Sequence, residues 1–169
     1  MELDPRSLLC LSRLEFEVGE LYTYLAEAVD RPLYSMVLGF IGADSAKHGE
    51  AFRRLALGLD AGTPEPGMSE CRELLGSMYS ESMELVKRLK ERAQGAGLEE
   101  VAGILEELAG FEDVVGEEYL TSIASALYFG ASDRGGVDGL ASIVVRYIVE
   151  DEERHVKLVK ALLRRIRSG

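Results

Sequence analysis

The sequence predicts an all-α protein: a four-helix bundle made of two related antiparallel hairpins, with an extra crossover helix between them. Three observations carry this. Apolar residues recur at helical spacing along the chain, and no stretch shows the two-residue alternation of a strand. Breaks at Asp30-Arg31-Pro32, Gly62, Gly97 and Gly135 cut the chain into helical segments long enough to line a bundle. Blocks from the first half also recur in the second.

Taken in order, Asp4 before Pro5 is an N-cap followed by proline at the first helical position, and the first helical pattern runs to about Val29. Pro32 opens a second helix that runs to about Leu59, and so short a connection makes the two antiparallel neighbours over 5–59. After the loop Gly62-Thr63-Pro64-Glu65-Pro66-Gly67, a third pattern with Leu74, Leu75, Met78, Met83, Leu85 and Leu89 fills 69–94. A fourth helix runs from Leu98 to about Tyr128. A long glycine loop, Gly130 to Gly139, precedes the last helix from about Leu140 to Arg167, which completes a second hairpin over 98–167.

The repeat explains this layout. Glu15 to Tyr22 and Glu112 to Tyr119 share five identical positions at one offset, and Phe40 to His48 matches Tyr147 to His155 in its aromatic, isoleucine, aspartate, basic and histidine positions. The second offset is larger because of the glycine loop. The 25 residues from Ser69 to Ala93 then form an insert, read as one crossover helix of ~37 Å that leaves the second and fourth helices parallel.

Bulk properties bound the function. With 169 residues, 47% of them hydrophobic, the chain has material for one domain with its own core. A net charge of -11 repels a phosphate backbone, so nucleic acid is not an expected partner. No long uncharged apolar run points to a membrane span, and the start of the chain lacks a signal-like basic and apolar pattern. Cys10 and Cys71 stand in no Cys-x-x-Cys pair; read as buried small hydrophobes they suggest a reducing, cytoplasmic location, with a single disulfide as the alternative.

The chain has only 2 histidines, His48 and His155, and both occupy the same position of the repeat. Equal distances from the first hairpin turn bring Glu15 level with His48, and the repeat brings Glu112 level with His155. Glu152 and His155, three residues apart, share a helix face. Glu17 and Glu20 compete with Glu15, as Asp113, Glu117 and Glu118 compete with Glu112. Such a convergence of buried acid needs a counter-ion, and mixed carboxylate and imidazole ligation suits iron or manganese better than structural zinc. Tyr22 and Tyr119, two turns beyond Glu15 and Glu112, are placed to hydrogen-bond the ligands.

These residues resemble the ferritin-like di-iron superfamily, and most closely rubrerythrin, over all four bundle helices but not the insert. The resemblance implies a ferritin-like bundle in which Glu15, His48, Glu112, Glu152 and His155 hold two iron ions, and a non-haem peroxidase or ferroxidase acting on peroxide or dioxygen, as a homodimer. The chain departs from the family at Ser45, where a glutamate three residues before His48 is expected; Asp44 is the candidate substitute. Val115 stands in place of a further family glutamate. No rubredoxin-like Cys-x-x-Cys pairs are present, so turnover requires an external electron donor. The alternative is a degenerate ferritin-like protein acting as a dimeric scaffold, which Ser45 favours.

Overall fold

The computed structural model describes residues 4–115 and 137–169, with side chains over 4–110 and 139–169. Every described element is a helix: α1 Pro5–Ala28, α2 Pro32–Leu59, α3 Met68–Leu75, α4 Ser77–Ala93, α5 Leu98–Val115 and α6 Val137–Arg167. The α1 start follows from the Asp4 carboxylate, which accepts the backbone N–H of Arg6 at 2.9 Å, and from Pro5 at the first helical position. Helix α2 restarts at Pro32 after three connecting residues, which turns it antiparallel to α1. The rest of the helix expected from Leu98 to Tyr128, the second copy of the Glu15 block and the glycine loop lie outside the described residues.

Helices α1 and α2 touch backbone to backbone. A Cβ at Gly19 would lie 2.9 Å from the Gly42 carbonyl oxygen, and one at Gly42 would lie 2.9 Å from the Gly19 carbonyl oxygen. Only hydrogen fits at this crossing, and the contact fixes the register in which Glu15 comes level with His48. Helix α6 runs antiparallel to α5, because Arg167 at its end reaches Glu99 and Glu106 near the α5 start at 2.6 and 2.9 Å.

Two expectations are corrected. The 69–94 insert is two helices, α3 and α4, not one: Gly76 between them has φ +84, a backbone state that side chains resist, and it ends α3 by donating to the Arg72 carbonyl. Cys10 and Cys71 are not separate thiols but a disulfide, with Cα atoms 5.6 Å apart, that ties α3 to α1. Their separation of 61 residues gave no spacing signal from which to read the pair. A reducing cytoplasm is expected only for unpaired cysteines and does not follow for this disulfide, since disulfides persist mainly in oxidising surroundings. No described helix is long and apolar enough to cross a membrane.

Among the described residues, the apolar core is in two parts. The larger includes Leu21, Leu25, Leu38, Ile41, Leu89, Leu105 and Val159; the smaller is built on Leu8, Leu11, Phe52, Val145 and Ile148. Along α2 the order is Ile41, then Ser45 and His48, then Phe52; along α6 it is Ile148, then Glu152 and His155, then Val159. A polar layer therefore lies between two apolar ones, with Ser45, His48 and His155 all buried within it.

Candidate metal centre

Among the described residues, the polar layer is built by three helices. Glu15 comes from α1, Asp44, Ser45 and His48 from α2, and Asp151, Glu152 and His155 from α6. His48 and His155 are each 1% exposed, and their rings lie nearly parallel with centroids 5.9 Å apart. Helix periodicity puts Glu152 and His155 on one face, and the antiparallel α2 and α6 then set that face against His48.

Glu152 occupies the space between the imidazoles. Its Oε1 is 2.8 Å from His48 Nδ1, and its Oε2 is 3.5 Å from His155 Nδ1. Glu15 Oε2 approaches the same His48 Nδ1 at 4.0 Å. Ligand atoms of Glu15, His48 and Glu152 all lie within 4.8 Å of one another, close enough to share one cation. His48 Nδ1 and Glu152 Oε1 form an ion pair when His48 is protonated; with the ring neutral, both buried atoms are left with no hydrogen-bond partner. Unsatisfied buried polar atoms are costly, and a cation between them removes the cost.

The far side of each imidazole is held reciprocally. His48 Nε2 lies 3.2 Å from Asp151 Oδ2, and His155 Nε2 lies 3.3 Å from Asp44 Oδ2. Each aspartate stands four residues before the other histidine. A carboxylate on Nε2 favours the tautomer with the proton there, which leaves the Nδ1 lone pair facing Glu152. Lys47 sits over this pair, 2.6 Å from Asp44 and 3.6 Å from Asp151, and Arg154 also pairs with Asp151.

Among the described residues, the layer thus holds four carboxylates, Glu15, Asp44, Asp151 and Glu152, against two permanent cations, Lys47 and Arg154. With both imidazoles neutral a divalent ion would balance this set, and with both protonated His48 and His155 pair with the carboxylates directly. Burial pushes the Glu152 carboxyl up, but hydrogen bonds and charge from His155 and His48, when these rings carry a second proton, outweigh it and hold it well below the ordinary glutamate value. Asp44 is raised by burial and more than compensated by Lys47 and His155, so it too is held low.

Of the three α1 glutamates, Glu15 is the one that lies in the group with His48 and Glu152. Glu17 and Glu20 both pair with Lys90 of α4, on the side of α1 away from His48. Asp44 is placed on His155 Nε2 and is not in the Glu15, His48, Glu152 group. Tyr22 is fully buried beside Gly42. Glu112 and Tyr119 lie outside the residues whose side chains are described. Asp151 was missed as a functional candidate, though the match of Asp44 and Asp151 in the repeat was its available signal. No family model, characterised protein or solved structure matches this chain.

Proposed function

We propose that this protein is a rubrerythrin-like non-haem iron protein, a di-iron carboxylate peroxidase or ferroxidase that reacts with peroxide or dioxygen. The observation that carries the reading is the convergence of buried His48 Nδ1, Glu152 Oε1 and Glu15 Oε2 without hydrogen bonds to satisfy the first two. Its frame is a ferritin-like bundle of two repeated hairpins, which the reciprocal Asp44–His155 and Asp151–His48 contacts support.

Glu15, His48, Glu152 and His155, with Glu112 as the resemblance implies, would hold the iron. Bound iron supplies one-electron redox chemistry by cycling between ferrous and ferric states. Asp151 and Asp44 keep the protons on the outer nitrogens, so that the inner ones remain ligands. The apolar layers on either side limit water. Electrons come from an external donor, and the chain acts as a homodimer, with neither nucleic acid nor a membrane as a partner.

Ser45 favours a second reading. It is buried in the same layer, one turn before His48, and brings no carboxylate to the ion pair. One metal per chain without turnover would match a degenerate scaffold protein, and manganese or zinc in the Glu15 site would serve it equally. The test is anaerobic loading with ferrous iron followed by peroxide and a reductant. The proposal expects peroxide consumption that Glu152→Ala abolishes; iron uptake with no consumption would overturn it in favour of the scaffold. Iron content of Ser45→Glu compared with wild type then reads whether a second carboxylate adds an equivalent.

A further inference from the structure

A second feature lies ~22 Å along α2 from His48, where the α1–α2 connection meets the end of α6. An open cleft of about 510 Å³ is lined there by Arg31, Leu33, Tyr34 and Arg165, among others. The chain carries a net charge of -11, and most of its described arginines have carboxylate partners, as Arg92 has Glu100 and Glu107. Arg31 and Arg165 are in no ion pair among the described residues. Arg31 is also held in place: its guanidinium lies 5.2 Å from the Tyr34 ring centroid and donates to the Tyr34 hydroxyl at 3.0 Å.

From this cleft an apolar track runs along α2. Pro32 to Ala43 contains no charged residue, in a chain that is 29% charged. Leu33, Met36 and Phe40, at 70%, 61% and 56% exposure, follow one another at helical spacing on one face. Contiguous exposed apolar surface of this kind marks a binding surface. Two uncommitted guanidiniums at one end of it call for an anion.

We propose that the cleft binds an amphiphilic anion, with a phosphate or carboxylate head between Arg31 and Arg165 and an apolar body along Leu33, Met36 and Phe40. This site is independent of the metal centre. Isothermal titration of the full chain with octyl phosphate, inorganic phosphate and octanol tests it. Octyl phosphate is expected to bind one to one and at least roughly tenfold more tightly than either fragment, since head and body each contribute more than about 1.4 kcal/mol. Arg31→Gln and Arg165→Gln each weaken it by roughly tenfold, the loss of one charge-assisted contact. Phe40→Ser weakens octyl phosphate but not inorganic phosphate, while Arg72→Gln, an exposed arginine elsewhere, changes neither. All these positions are exposed, and circular dichroism checks that the variants remain folded. Co-sedimentation with phosphatidic acid vesicles tells whether the amphiphile is taken from solution or from a bilayer; either source requires the two arginines. Octyl phosphate binding no tighter than inorganic phosphate, or unchanged in Arg31→Gln and Arg165→Gln, would overturn the proposal.

Discussion

Asp151 touches no inner ligand atom, yet its removal should weaken metal binding. Its Oδ2 sits 3.2 Å from His48 Nε2 and is one of the two carboxylates under Lys47. Asp151→Ala removes the acceptor that keeps the His48 proton on the outer nitrogen. The ring is then free to carry that proton on Nδ1, facing Glu152, where it blocks coordination. Loss of a carboxylate behind a ligand histidine costs ~10–100-fold in metal affinity, or about 1.4–2.7 kcal/mol. Asp151→Asn keeps an acceptor oxygen and loses only charge, so it should fall between wild type and alanine. The assay is competition with a chromophoric chelator for ferrous or cobaltous ion, run anaerobically beside a urea melt of the apo forms. The apo melt should fall by about 1–3 kcal/mol, because the buried His48 Nε2 loses its acceptor while the exposed Lys47 and Arg154 add little. Unchanged metal affinity in Asp151→Ala would refute the reasoning about the tautomer.

Other outcomes follow from the fold. Reducing the Cys10–Cys71 disulfide opens a loop with a separation of 61 residues and should cost about 4 kcal/mol, read as a lower urea midpoint with reductant; two thiols titrating in non-reducing denaturant would contradict the pairing. Gly42→Ala places a methyl 2.9 Å from a carbonyl oxygen and should destabilise by roughly 1–3 kcal/mol in calorimetry, whereas Gly58→Ala meets nothing within 4 Å and should not. Hydrogen bonds from Arg53 and then Arg54 hold the Glu50 carboxyl at about 2, below its ordinary 4.5, so its contribution is present above pH 4.5 and lost as the pH falls toward 2. The urea midpoints of wild type and Glu50→Gln should therefore differ at pH 6 and converge in acid; a constant gap would argue against the ion pair.

Helical spacing made the fold class legible, and the Asp4-Pro5 and Arg31-Pro32 starts located α1 and α2 because capping and proline chemistry act locally. Equal distances from the first turn put Glu15 level with His48, which needed no long-range information. What was not legible depended on tertiary contact. Gly76 broke the insert, yet a glycine inside a helical pattern does not announce a positive φ. The partner of Cys10 lay 61 residues away. Glu17 and Glu20 were distinguishable from Glu15 only once α4 brought Lys90 against them. Asp44 shares a face with His48 and so reads as a candidate ligand in the sequence; its place on His155 depends on the position of α6.

The most direct test of the metal centre is the metal content of the protein after anaerobic loading with ferrous iron and removal of excess. Wild type, Glu152→Ala and His48→Ala would be compared, each checked for retained helicity. The proposed centre predicts at least one tightly held equivalent per chain in wild type and its loss in both variants. Absence of bound metal in wild type, or equal uptake in all three proteins, would contradict it.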